Sequence, residues 1–173
     1  MKIREFLPGD REVIQRTPCE YVSEVYFHLT KDGWNYFLEE RLLDEKIQKE
    51  YTPYSIGKNN EGQMTFIIEE QDQLIGYMEM AYDQHRKLLQ ILNIYVTKEQ
   101  RKKGRGKTLL KASKGYARFN KARGILMEIP NDNYPAIQLA LKAGFEFTGI
   151  DEICYRRDGH KSQEVGLRFT FHF

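Results

Sequence analysis

The sequence predicts a mixed α/β fold in one domain spanning residues 1–173. Three observations predict it. Residues 64–69, 74–82 and 88–96 are apolar or alternating runs separated by short polar turns, the pattern of an antiparallel meander. Residues 88–143 then read strand, helix, strand, helix, an order that lays helices against a sheet. No repeat, low-complexity tract or linker-like stretch divides the 173 residues, a length that suits one sizeable core.

The elements follow in order. Residues 2–6 alternate and read as a short strand; Pro8-Gly9-Asp10 is a turn, with Asp10 placed to cap a helix running through Gln15. Residues 22–29 alternate around Val25, Phe27 and Leu29 before the turn Lys31-Asp32-Gly33, and suit a strand or a helix end equally. Residues 34–49 carry Phe37, Leu38, Leu42 and Ile47 near helical spacing and predict a helix. Pro53, Gly57, Asn59, Asn60 and Gly62 make residues 51–62 a loop. In the meander, Gly76 marks a bulge or a close backbone approach. Residues 104–120 predict a helix with Leu109, Leu110, Ser113, Tyr116 and Ala117 on one face. Residues 124–129 are a short buried strand, 133–143 a second helix, and Gly144 sits where a left-handed C′ residue belongs. Residues 146–155 and 165–173 are strands joined by a turn at Asp158-Gly159.

Composition excludes several classes. Hydrophobic residues are 40% of the chain, which argues for a folded protein. With 27 basic and 25 acidic residues the net charge is +2, too even to make nucleic acid the expected partner. The N-terminus Met1-Lys2-Ile3-Arg4-Glu5-Phe6 has no signal-peptide core, and no apolar run approaches the ~20 residues of a membrane helix. No membrane partner is expected, and the cytoplasm is the expected location. Cys19 and Cys154 lack CxxC or histidine companions, so no metal site is expected and two reduced thiols are the simplest reading. Leu167, Phe169, Phe171 and Phe173 fall on one side of the last strand, which suits an internal strand or the seam of a homodimer.

Chemistry concentrates between residues 96 and 107. Arg101, Lys102, Lys103, Gly104, Arg105, Gly106 and Lys107 follow an apolar strand and open a helix. A helix N-terminus offers unpaired N–H groups and a partial positive charge. Two glycines let a phosphate approach the backbone, and the basic side chains add a positive field. The spacing fits neither a Walker loop nor GxGxxG. The competing reading is a solvated basic turn.

Arg101-Lys102-Lys103-Gly104-Arg105-Gly106 resembles the R-x-x-G-x-G motif of the GCN5-related N-acetyltransferases. Asn133-Tyr134-Pro135-Ala136 is similar to the family's N-x-x-A segment, and Lys142-Ala143-Gly144-Phe145 to its K-x-G-F ending. The resemblance covers residues 64–173 and implies a mostly antiparallel sheet, flanked by helices and splayed around a coenzyme A site. It implies acetyl-CoA as cosubstrate, with pyrophosphate on residues 101–107 and pantetheine along Ile94, Tyr95 and Val96. Asn133 would bond the pantetheine or phosphate region, or simply cap its helix. The implied reaction is direct attack of an amine on the thioester, which requires a proton acceptor. Glu79 is the carboxylate available, unless it is an exposed strand residue. Asn93 stands where relatives often carry a carboxylate, and would bind substrate or fix a water. Relatives place a tyrosine acid where this chain has Ala140; Tyr134 and Tyr155 are the possible substitutes.

Within the family the chain is most similar to the streptothricin acetyltransferase type, through its length, residues 32–34 and 149–151, and its terminal strand. That implies a small cationic amine as acceptor, served by carboxylates among Glu39, Glu40, Asp44, Glu45, Glu69, Glu70, Asp151 and Glu152. A protein amine, or a weakly catalytic coenzyme A-binding module, are the alternatives.

Overall fold

The computed structural model describes residues 1–51, 62–153 and 164–173. The elements are β1 (Lys2–Glu5), α1 (Asp10–Arg16), β2 (Cys19–Asp32), β3 (Asn35–Tyr51), β4 (Gln63–Glu70), β5 (Gln73–Asp83) and β6 (Leu88–Val96). A 3-10 turn (Lys98–Gln100) leads to α2 (Arg105–Phe119), then β7 (Gly124–Pro130), α3 (Tyr134–Lys142), β8 (Glu146–Asp151) and β9 (Gly166–His172). Of the loop expected over 51–62, residues 52–61 lie outside the described residues, as do the turn at Asp158-Gly159, Cys154 and Tyr155; Tyr51 ends β3 and Gly62 stands in a turn. The chain forms two compact units. The first holds residues 1–19, 51–127 and 170–173; the second holds 20–50 and 128–169.

In the first unit the strands run in the order β1-β4-β5-β6-β7. β4, β5 and β6 form the expected antiparallel meander. The turn between β4 and β5 is tight because Gln71 and Asp72 both adopt positive φ (51° and 59°), as a two-residue primed turn demands. Strand alternation then sends side chains to two faces. On one face Leu109, Leu110, Ser113 and Ala117 of α2 are buried, with Tyr116 edge-on to Phe66. On the other, Ile14 of α1 joins Cys19, Ile67, Tyr77 and Tyr95 in a buried cluster. Asp10 does not cap α1 through its side chain. Its carboxylate accepts from the Leu7 N–H at 2.7 Å and from both ends of the Arg4 guanidinium, while the Arg4 Nε donates to Glu69.

Gly76 meets both expectations. The β4–β5 register slips between Ile68 and Glu69, beside Gly76, and a Cβ on Gly76 would lie 2.7 Å from the Tyr95 carbonyl oxygen and 3.3 Å from Val96 Cα. Both obstacles are backbone, so β6 itself must move. Gly76→Ala is therefore expected to destabilise the fold by roughly 1–3 kcal/mol, the usual range for overpacking. A urea midpoint unchanged from the parent would contradict this.

In the second unit β9 lies between β7 and β8, so the apolar terminal strand is internal. β2 and β3 make a separate two-stranded ribbon. The helix expected over 34–49 is thus a strand. Gly33 takes φ 58° in the turn between the two strands. The Val-, Tyr- and Phe-rich β2 supplies a pairing partner that overrides the helix-forming Glu, Lys, Arg and Leu of β3. Most of β3 remains exposed, including Leu42.

Candidate active site

β6 is paired on both sides for only part of its length. Its parallel ladder with β7 runs from Leu88–Gly124 to Ile91–Met127 and stops there. Against β5 the pairing continues to Val96, with a slip between Glu79 and Met80 that leaves Leu92 as an extra residue. The Thr97 N–H donates to the Ile75 carbonyl at 3.0 Å. By strand alternation the backbone groups of Tyr95 and Asn93 also face β5, while those of Ile94 and Val96 face the side β7 has left. Of the three residues expected to meet pantetheine, Tyr95 therefore has its backbone in the ladder. Its ring is buried and its hydroxyl donates to the Pro18 carbonyl at 2.8 Å. Ile94 presents its N–H and carbonyl to that open side, and Val96 its N–H, since the Val96 carbonyl accepts from Arg101.

The basic loop divides into two sets. Arg101 and Arg105 hold the structure together. The Arg101 Nε donates to the Val96 carbonyl at 3.0 Å, and its guanidinium lies 5.4 Å from the centre of the Tyr95 ring. Arg105 donates to Glu70 Oε1 at 2.8 Å, while its buried Nε has no partner. Lys102, Lys103 and Lys107 are exposed. Gly104, with φ 78°, is the N-cap residue of α2, and no side chain caps the helix. The first intrahelical bond runs from the Thr108 N–H to the Gly104 carbonyl. The N–H groups of Arg105, Gly106 and Lys107 thus precede it and need an outside acceptor. No acidic residue stands in this first turn, so the helix itself sets no carboxylate against a phosphate there.

Glu79 overturns the simple reading of an exposed strand residue. It is 3% exposed, and its Oε2 is buried without a hydrogen-bond partner. Burial raises its pKa, opposed by a hydrogen bond from Asn93. Asn93 sits opposite Glu79 across the β5–β6 ladder. The structure thus brings two of the three expected catalytic residues together. It adds two that the sequence reading missed, Tyr77 and Cys19. The Asn93 Nδ2 donates to the Tyr77 hydroxyl at 3.2 Å, and the Tyr77 hydroxyl is 3.0 Å from Cys19 Sγ. Tyr77 stands two residues from Glu79 on the same strand face, a period-2 relation that was there to be read.

Tyr134 and Asn133 belong to the second unit. Asn133 caps α3, its side chain accepting from the Ala136 N–H at 3.2 Å. Tyr134 stacks on Phe27 with ring centres 6.1 Å apart and donates to Glu40 Oε1 at 3.2 Å. Desolvation and the Glu40 carboxylate raise its pKa. Ala140 is fully buried and serves packing. In the same unit Lys49 bridges Asp132 and Glu164, and the Tyr21 hydroxyl donates to Asp132 at 2.7 Å. Several carboxylates expected to attract a cation are already paired: Glu39 with Arg41, Asp151 with Arg168, and Glu152 with Lys31. In the first unit Glu69 pairs with Arg4 and Glu70 with Arg105.

Comparison with known proteins bears on the family and the fold. The profile of the acetyltransferase (GNAT) family matches residues 24–145. The streptothricin acetyltransferase of Streptomyces lavendulae is 26% identical over 163 residues, covering 90% of this chain and 86% of that protein. The streptothricin acetyltransferase of Escherichia coli is also 26% identical, over 96% of this chain and 88% of that one. A crystal structure of nourseothricin acetyltransferase superposes with a TM-score of 0.86 at 26% identity, covering 99% of this chain and 97% of that chain. A Bacillus anthracis structure determined in complex with acetyl coenzyme A shares the fold at a TM-score of 0.84 and 24% identity, with 99% of each chain covered. The match spans more than half of the sequence and parts of both units, and the chain belongs to the acetyltransferase (GNAT) family.

Proposed function

We propose that this chain, acting as one domain, moves the acetyl group of acetyl-CoA to a primary amine on a streptothricin-type antibiotic. The observation that carries this is near-complete coverage, at 26% identity, of the two streptothricin acetyltransferases and of the nourseothricin acetyltransferase structure. The geometry supports it. The open N–H groups at Arg105, Gly106 and Lys107 receive the pyrophosphate, with Lys102, Lys103 and Lys107 screening its charge. Pantetheine lies along Ile94 and Val96 as a substitute strand, and one of their N–H groups polarises the thioester carbonyl.

Ionised Glu79 takes a proton from the acceptor's ammonium, and the neutral amine attacks the thioester carbon. The C–S bond breaks, coenzyme A leaves as a thiolate, and that thiolate takes the second proton from the newly acylated nitrogen, leaving a neutral amide and the free thiol. A thiol of pKa ~8.5 departs without an acid, which suits an apolar Ala140. No group of three metal-ligating side chains occurs among the described residues, and the proposed chemistry uses none. No described helix is long and apolar enough to cross a membrane.

The test is direct. Protein, acetyl-CoA and a panel of streptothricin, polyamines, aminoglycosides and short peptides are mixed, and products are read by mass spectrometry. Fast gain of one acetyl group on streptothricin is the expected result. Conversion of peptides alone would move the acceptor to a protein amine and end the antibiotic reading.

A further inference from the structure

We propose that Tyr77 is a positioning residue for the transfer: its hydroxyl fixes the Asn93 amide with the NH2 end toward Glu79. The inference rests on the assignment of Glu79 as the base. An ionised carboxylate only accepts hydrogen bonds, and an asparagine amide has one donating end and one accepting end. Turned the wrong way, Asn93 sets its carbonyl oxygen against the carboxylate. The neighbours decide which way it turns.

The donors can be followed along the chain of contacts. Cys19 Sγ lies 3.8 Å from the Thr17 carbonyl oxygen, which only accepts, and 3.0 Å from the Tyr77 hydroxyl. With the thiol proton on Thr17, the phenol proton goes to the sulfur. The lone pairs of the Tyr77 oxygen then face Asn93, whose Nδ2 stands 3.2 Å away. That contact pins the NH2 end, and its second hydrogen serves Glu79, whose charged form the bond favours. Tyr77 has no freedom to swing, being 0% exposed with its ring centre 5.9 Å from that of Tyr95.

The surroundings leave few other charges to interfere. Among the described residues the ionisable groups around this cluster are Cys19 at the start of β2, Tyr51 at the end of β3, Tyr77 on β5, Tyr95 on β6, and Arg101 beyond β6. Burial raises the pKa of Cys19, Tyr51 and Tyr77, which therefore stay neutral at neutral pH. β4 presents Thr65 opposite Glu79, and α1 contributes Ile14 to the cluster. Arg101 is the cation in this set, and it is bound to the Val96 carbonyl and the Tyr95 ring. Among the described residues Asn93 is the group that steadies the Glu79 charge.

The experiment reads Glu79 itself. Protein labelled with 13C at glutamate side-chain carboxyls is titrated by NMR, and the Glu79 signal is identified by its loss in Glu79→Gln. In Tyr77→Phe the Glu79 titration midpoint is expected to rise by roughly one pH unit, the scale of one lost hydrogen bond to a charged group. Asn93→Ala should give the same rise, and the double variant no further one. A merely structural Tyr77 would lower the melting temperature without moving the midpoint. An unmoved midpoint, or additive shifts, overturns the inference. Should Tyr77→Phe fail to fold, the unaltered protein still answers: the Asn93 side-chain amide signals must move through the same pH range as Glu79, and still signals overturn the inference. The base assignment fails separately, if Glu79→Gln keeps full turnover whatever the titrations show.

Discussion

Glu79→Gln is expected to lower kcat/KM for the amine acceptor by roughly 10²-fold to 10⁴-fold, the usual contribution of a positioned base. The substitution keeps the size of the side chain and its bond to Asn93 while removing the site that takes a proton. Acetyl-CoA affinity should be nearly unchanged, because Glu79 lies among the side chains on one sheet face, away from the α2 N-terminus. The pH profile sharpens the test. Burial raises the Glu79 pKa, and the ionised form does the work. Parent kcat/KM should therefore rise with pH along a limb above the ordinary carboxylate range, and the variant should lose that limb. Stability must move in the opposite sense. A raised folded-state pKa means the native protein holds this proton more tightly than the unfolded chain does. The carboxylate therefore costs stability as pH rises from the unfolded value through the folded one, and Glu79→Gln should be the more stable protein at neutral pH but not in acid. A variant within a few-fold of parent activity would remove Glu79 from the mechanism.

Gly104→Asp carries the second large effect, on cosubstrate binding. Gly104 has φ 78°, yet a Cβ there meets nothing within 4 Å. Aspartate tolerates this left-handed conformation better than most residues, so the fold should survive. Its carboxylate, however, stands at the helix end proposed for the pyrophosphate. Like charges set together cost several kcal/mol, which corresponds to at least roughly 10²-fold weaker acetyl-CoA binding. Gly104→Ala is the control, since it carries the backbone strain without the charge and should lose at most about tenfold. Calorimetric titration separates the two variants. Equal affinity for Gly104→Asp and the parent would show that residues 101–107 do not hold the pyrophosphate.

What could be read from the chain depended on how local each signal was. The meander, the basic loop and α2 announce themselves within a few residues, through period 2, paired glycines and a buried helical face. β3 was misread because Phe37, Leu38, Leu42 and Ile47 mimic helical spacing and because its Glu and Lys residues favour helix. What makes it a strand is pairing with β2 across the turn at Gly33, which the periodicity of one segment taken alone does not weigh. The burial of Glu79 is hidden from the sequence for a related reason. Its burial, and its meeting with Asn93, depend on the register of β5 against β6, which the extra residue Leu92 shifts. Composition gives no hint of that slip. Tyr77 and Cys19 are 58 residues apart and meet only through packing. The cofactor loop was legible as a motif, but the division of its basic residues into structural arginines and exposed lysines needed the positions of Val96 and Glu70.

The shortened ladder between β6 and β7 has a consequence for the life of the molecule in the cell. Over residues 92–96 β6 has no ladder partner on the side that β7 leaves, the kind of edge that invites strands from other chains. A pantetheine arm lying there as proposed fills the gap as a missing strand would. Acetyl-CoA is then a folding partner as well as a reagent. At a hundredfold excess over Kd, a ligand that binds only the native state adds about 2.7 kcal/mol, a sizeable share of the stability of a domain. A newly made chain would reach its most protected form when the cosubstrate is plentiful, so starvation for acetyl units would expose that edge as well as halt the reaction.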